Sequence, residues 1–195
     1  MRRRIRSELG TVTYGDFLVF LMGPYTTFDV RSILPESVEE GAVTLPSEKA
    51  GRDAVDEMMA TLRRVQGHLR VDPGVNAFLA VDPGISLDEI DAATQSIRFA
   101  RASNAVAFVV PALGDNLGVG IEAGAVLEDL YPDTDRVLLV HEDVVSSAML
   151  ASVTRRWDAR IATYADEAEL VDALRHFVGL LMYREATGDL PRKGT

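Results

Sequence analysis

One stretch concentrates the residue types that chemistry needs: Gly114-Asp115-Asn116-Leu117-Gly118-Val119-Gly120-Ile121-Glu122-Ala123-Gly124, in which the Glu122 carboxylate follows a run of glycines and polar side chains. Glycines let the backbone turn tightly and approach a ligand. Glu122 falls in the first turn or so of a helix expected from about Val119 to Leu130. A carboxylate there is held ionised by the helix dipole and neighbouring backbone N–H groups. An ionised Glu in a crevice can attack an electrophilic sugar carbon, as carboxylate nucleophiles do in retaining glycosyl transfer. Taken alone, Glu122 reads better as a first-turn acid that stabilises its helix.

Other groups have to be weighed beside it. His141-Glu142-Asp143 closes an apolar run and either lines a pocket or starts a solvated loop; Asp82-Pro83-Gly84 is either a ligand contact or plain turn chemistry. Arg31 is a candidate phosphate or carboxylate contact through its fork of donors, or a surface ion pair with Glu36, Glu39 or Glu40. His68, His141 and His176 are not spaced as ligands, so no metal site is expected. The run Gly118-x-Gly120-x-x-x-Gly124 misses the G-x-G-x-x-G spacing and follows the third strand, which argues against a dinucleotide fingerprint. P-loop and G-x-S-x-G signatures are absent from the sequence, and no cofactor is expected.

The elements that must position these groups alternate along the chain. Strands are expected at Asp16 to Tyr25, Val75 to Val81, Asn104 to Pro111, Arg136 to Val140 and Ala159 to Tyr164. Helices are expected from a Ser47 cap to about Arg70, from the capping box Ser86-Leu87-Asp88-Glu89 to about Ala102, from about Val119 to Leu130, from Ser146 or Ser147 to Arg156, and from Asp166 to about Ala186. The polar, proline-broken stretch Thr26 to Pro46 reads as a long loop, long enough for a lid. Strand–helix alternation implies an α/β fold: one doubly wound, five-stranded parallel sheet in the flavodoxin-like order 2-1-3-4-5, with helices on both faces. Its switch point lies between strands one and three, where the loops leaving their carboxyl ends open a crevice. The two least ordinary loops, Gly23-Pro24-Tyr25-Thr26-Thr27 and Pro111 to Gly118, fall there.

These loops carry a resemblance. Gly23-Pro24-Tyr25, with Asp115, Gly118, Glu122, Gly124 and Ala125, resembles the nucleoside 2-deoxyribosyltransferase family, whose first strand ends in a similar pair before an aromatic and whose third is followed by an Asp–Gly–Glu–Gly series. The likeness covers roughly the first 130 residues in element order. It implies that Glu122 attacks the anomeric carbon of a nucleoside-like substrate, Tyr25 orients the carboxylate or stacks near the base, and Asp115 binds the sugar. Gly23, Pro24, Arg31, Asp82, Asn116 and Gly118 would complete the binding surface. The family commonly has an Asp just before strand three, where this chain has Asn104, and an acid on the preceding helix for which Asp88 and Asp91 are loose matches. A missing general acid would cost about 10²–10⁴-fold in leaving-group protonation. A non-catalytic nucleotide- or sugar-phosphate-binding module is therefore the alternative, and a structural scaffold a third reading. The same broad resemblance extends to nucleotide-sensing and TIR-like domains that cleave the N-glycosidic bond of NAD, also with a glutamate.

Composition bounds the rest. The 195 residues, 47% apolar and without cysteine, read as one domain, 1–195, with 1–12 as a flexible arm and 187–195 as a tail. The net charge of −10 opposes wrapping by polymeric nucleic acid, although Arg2, Arg3, Arg4 and Arg6 form a basic cluster, read as a frayed arm. Only Lys49 and Lys193 are lysine; this arginine bias with acid excess resembles proteins of halophilic archaeal cells, and a GC-rich genome gives the same bias. No apolar run reaches the roughly 18 residues of a membrane span, so the expected location is cytoplasmic and the expected partner a small nucleoside or nucleotide. The final helix carries Leu180 and Tyr183 beyond its main stripe, which points, with the family resemblance, to a homodimer through that helix.

Overall fold

The apolar runs become strands of a parallel sheet. A computed structural model describes residues 1–23, 48–112, 116–145 and 155–193. The element order is α1 (Arg2–Glu8), β1 (Tyr14–Met22), α2 (Glu48–Val71), β2 (Val75–Phe78), α3 (Ala92–Ala102), β3 (Ala105–Val110), α4 (Asn116–Leu130), a 3-10 turn (Asp133–Arg136), β4 (Val137–Glu142), β5 (Arg160–Tyr164) and α5 (Glu167–Thr187). The five strands pair in parallel in the order β2-β1-β3-β4-β5. This is the flavodoxin-like order, with its switch point between β1 and β3. Every residue of β2 and β3, and β1 from Phe17 onward, is buried, as continuous apolar runs covered on both faces require. Helices α2 and α5 pack against each other, as do α3 and α4. The right-handed crossovers place these pairs on opposite faces.

An aromatic cluster locks α3 to the sheet. Phe20 of β1 stacks on Phe78 of β2 at 5.1 Å between centroids, and both meet Phe99 of α3 edge-on, at 5.5 and 5.7 Å. All three are solvent-free. Phe20→Ala is expected to cost about 3–5 kcal/mol, read as a lower urea midpoint at unchanged slope, because the Phe78 and Phe99 rings lose their shared neighbour.

Among the boundaries that differ from the expected ones are those of β2, α3 and α4. Strand β2 stops at Phe78 because the Asp82 carboxylate captures the Leu79 N–H at 2.8 Å and starts a turn. Ser86 closes only a single turn, its carbonyl accepting from the Glu89 and Ile90 N–H groups; α3 instead starts from Asp91, whose side chain accepts from the Thr94 N–H at 2.9 Å. Helix α4 begins at Asn116, three residues before the expected Val119. Asp166 caps α5 as the sequence implies, accepting from the Glu169 N–H at 2.9 Å. The stretch Thr26 to Pro46, the Ser47 cap and the Ser146 or Ser147 cap lie outside the described residues.

The described parts of the arm and tail are tied to the sheet. Residues 2–8 are helical, Ile5 is solvent-free, and Arg2 donates to the Ala102 and Asp16 carbonyls and to Asn104. From the other end, the Pro191 carbonyl accepts from Arg136 and the Lys193 carbonyl from Asn104. Among the described residues, no helix is long and apolar enough to cross a membrane.

Candidate active site

Parallel topology brings the carboxyl ends of the strands to one edge, so Gly23, Ala112 and Glu142 gather around the switch point. Gly23, buried, directly follows β1, and Ala112 lies two residues beyond β3. Asn116 opens α4 and Gly118 is its third residue. Pro24, Tyr25, Arg31 and Asp115, all candidates from the sequence, lie outside the described residues.

Glu122 is 7% exposed, and its Oε1 is buried without a hydrogen-bond partner. Since α4 starts at Asn116, Glu122 is its seventh residue, in the second turn. The helix-dipole effect fades within the first turn. The expectation of a carboxylate held ionised therefore fails: burial pushes Glu122 up to about 7, opposed only in part by hydrogen bonding with the Ser96 side chain of α3. Ser96 is itself buried. The result is a desolvated carboxyl with one buried oxygen that has no hydrogen-bond partner, chemically able to work as a nucleophile when ionised or to pass a proton near neutrality.

The other polar groups at this edge separate into committed and available. Asp82 is committed: its carboxylate takes hydrogen bonds from the Leu79 N–H at 2.8 Å, from Gln66 Nε2 at 2.6 Å and from Arg63. Turn chemistry thus accounts for it. Asp82→Ala is expected to cost about 1–3 kcal/mol by stranding these donors. Thermal melts should register that loss while ligand affinity stays as in the parent. Glu142, at the end of β4, reaches back over β3 so that its Oε2 accepts from the Ala112 N–H at 3.0 Å. Its neighbour across the ladder, Tyr164, is 5% exposed with an unpartnered hydroxyl; burial first, then the Glu142 charge, pushes that hydroxyl up. His141 is buried and its Nδ1 lies 2.7 Å from the Glu142 carbonyl.

Asn104 is placed at the opposite end. It precedes β3, on the amino edge, where its Oδ1 accepts from the Leu18 N–H at 2.9 Å and from Arg2 at 2.8 Å while its Nδ2 donates to both Glu185 oxygens at 3.0 Å. An acid at this position could not reach a leaving group in the crevice, so its replacement by Asn removes no general acid. Asp91 is the α3 cap and Asp88 lies in the preceding turn. Sequence reasoning missed Ser96 and Tyr164, whose significance comes only from the helix and strand packed beside them. Among the described residues no group of three or more His, Asp or Glu side chains could hold a metal ion.

No curated protein matches the chain. Among solved structures it is similar to that of a Clostridium botulinum CMP N-glycosidase, BcmB, at 10% identity over 82% of this chain and 98% of that one, with a TM-score of 0.44. It is also similar to the IL-17 receptor B SEFIR domain, at 14% identity over 85% of this chain and 95% of that one, with a TM-score of 0.43. Likenesses this loose transfer neither residues nor activity. One family fits almost the whole length, residues 2–194, and the chain belongs to it: the family described as Domain of unknown function (DUF7509).

Proposed function

We propose that the chain binds a nucleoside or nucleotide at the carboxyl edge between β1 and β3 and breaks its N-glycosidic bond through Glu122. The observation that carries this reading is the buried Glu122 carboxyl, with an unpartnered Oε1, on the helix that leaves the switch point. The glycine-rich series around it, and the Gly23-Pro24-Tyr25 motif, add the family resemblance. In this reading the ionised Oε1 attacks the anomeric carbon, the carbon–nitrogen bond breaks, and the base departs with the bonding pair and takes up a proton. Water or an acceptor base then displaces the carboxylate, giving hydrolysis or transfer. Tyr25 orients the carboxylate, Asp115 holds the sugar, and Gly23, Pro24, Arg31, Asn116 and Gly118 line the substrate. The same reading has the protein working in the cytoplasm as a homodimer through α5, where Tyr183 is 64% exposed.

The test is a panel of nucleosides and nucleotides incubated with the parent and with Glu122→Gln and Glu122→Ala, products being separated by chromatography. Release or exchange of base by the parent alone supports the reading; equal turnover by the variants rejects it. The burial of Glu122 favours a second reading, a binding module without chemistry: burial pushes the carboxyl up to about 7, so that its protonated form can donate a hydrogen bond to a ligand. That module would give ligand-dependent thermal shifts and no product.

A further inference from the structure

At the amino edge of the sheet, about 25 Å along β1 from the crevice by strand rise, lies a second cavity. It has a volume of about 420 Å³ and is lined by Arg3, Arg6, Ser7, Thr11, Gly15 and Asn76, among others. That is the size of a small-molecule site. Its floor is built: Asn76, 4% exposed, donates to the Gly15 carbonyl at 2.7 Å and accepts from Arg70 at 3.1 Å, while Arg70 also holds the Gly10 carbonyl at 3.0 Å. The loop over β1 is thereby fixed from below by two side chains.

The basic cluster in the sequence sorts itself around this cavity. Arg2 is spent on Ala102, Asp16 and Asn104, and Arg4 forms a two-point pair with Glu89. Arg6 pairs with Asp16, whose side chain is 74% exposed; such surface pairs contribute little and can reopen. The Arg3 guanidinium makes no hydrogen bond or ion pair with the described residues, yet it lines the cavity. In a chain of net charge −10, a guanidinium unpaired among the described residues over a ligand-sized cleft, with a second one beside it and the Ser7 and Thr11 hydroxyls near, selects for an anion. The planar fork of donors matches a phosphate group.

We propose that this cavity binds the phosphate group of a small molecule, at a site separate from Glu122. Titration calorimetry in a low-chloride, phosphate-free buffer would use inorganic phosphate, pyrophosphate, a nucleoside monophosphate and the matching nucleoside. Phosphate or pyrophosphate is expected to bind one per chain, and Arg3→Ala to weaken that binding about tenfold, the value of one lost charge-assisted contact. Arg98→Ala, which removes another exposed arginine away from the cavity, and Glu122→Gln should leave it unchanged. Binding of the monophosphate but not the nucleoside would assign the phosphate as the recognised part, and tighter binding of inorganic phosphate would assign the free anion. The proposal is overturned if neither phosphate nor pyrophosphate binds at millimolar concentration, or if binding survives Arg3→Ala, or if Glu122→Gln removes it. Because Arg3 is exposed, its loss leaves the fold intact, and Arg6→Ala serves as a second, independent reduction.

Discussion

Glu122→Gln is expected to end turnover of the nucleoside panel and, at the same time, to make the protein more stable at alkaline pH. Glu122 is pushed up to about 7 by burial, from the ordinary 4.5 of an unfolded chain. Between those values the folded protein holds a proton that the unfolded chain has lost. Folding is thus favoured at low pH, and that share of stability disappears as pH rises through about 7. A difference of this size corresponds to about 3 kcal/mol between pH 4 and pH 8. Gln keeps the shape without the charge, so the variant should match the parent near pH 4 and exceed it by up to about 3 kcal/mol at pH 8. Paired urea titrations at the two pH values give the comparison directly. A flat difference would mean that the carboxyl is solvated, and the buried-site argument would fall with it. The rate has its own sign: a nucleophile must be ionised, so turnover should climb with pH through about 7, whereas a carboxyl serving as general acid would give the opposite limb.

The second large effect is at the other end of the sheet. Glu185→Ala should destabilise the fold by about 3–5 kcal/mol, because it leaves the Arg136 guanidinium buried with its countercharge gone. Arg136 is 2% exposed and Glu185 8%; they meet at 2.5 Å, and Arg136 also donates to the Asn104 carbonyl at 3.0 Å. Removing both charges as Arg136→Met with Glu185→Leu should recover more than half of the loss, since a packed apolar pair needs no countercharge. A double variant as unstable as the sum of the single changes would show that the carbonyl contacts, not the pairing, hold this region. The proposed catalytic and phosphate sites are not at this node, so any activity per folded molecule should be unaltered.

The legibility of this chain follows the range of the forces involved. Strands β1 and β3 were readable because a run such as Leu18 to Met22 is apolar without interruption, and α5 because Asp166 caps it three residues before Glu169. The parallel, two-faced sheet followed from alternation and handedness, and the order observed is the flavodoxin-like one expected. What failed depended on partners far along the chain. Arg2 and Asn104 are 102 residues apart, and no local window shows that the first arginine turns inward to the third strand. The same holds for Glu122. Its type and glycine-rich setting were visible, but the ionisation expected from a helix N-terminus was reversed by α3 packing over it. Ser86 lost the cap to Asp91 for a more local reason: Ile85 and Ile90 are both buried, and the chain folds a turn between them before the helix starts.

The meeting of Arg2 and Lys193 on the single side chain of Asn104 has a further consequence. The two extremities of the described fold stand side by side, far from the edge that carries Glu122. A short peptide bridge between them would let the polypeptide be reopened elsewhere, giving a circularly permuted protein whose strand order in space is unchanged while its order of synthesis is not.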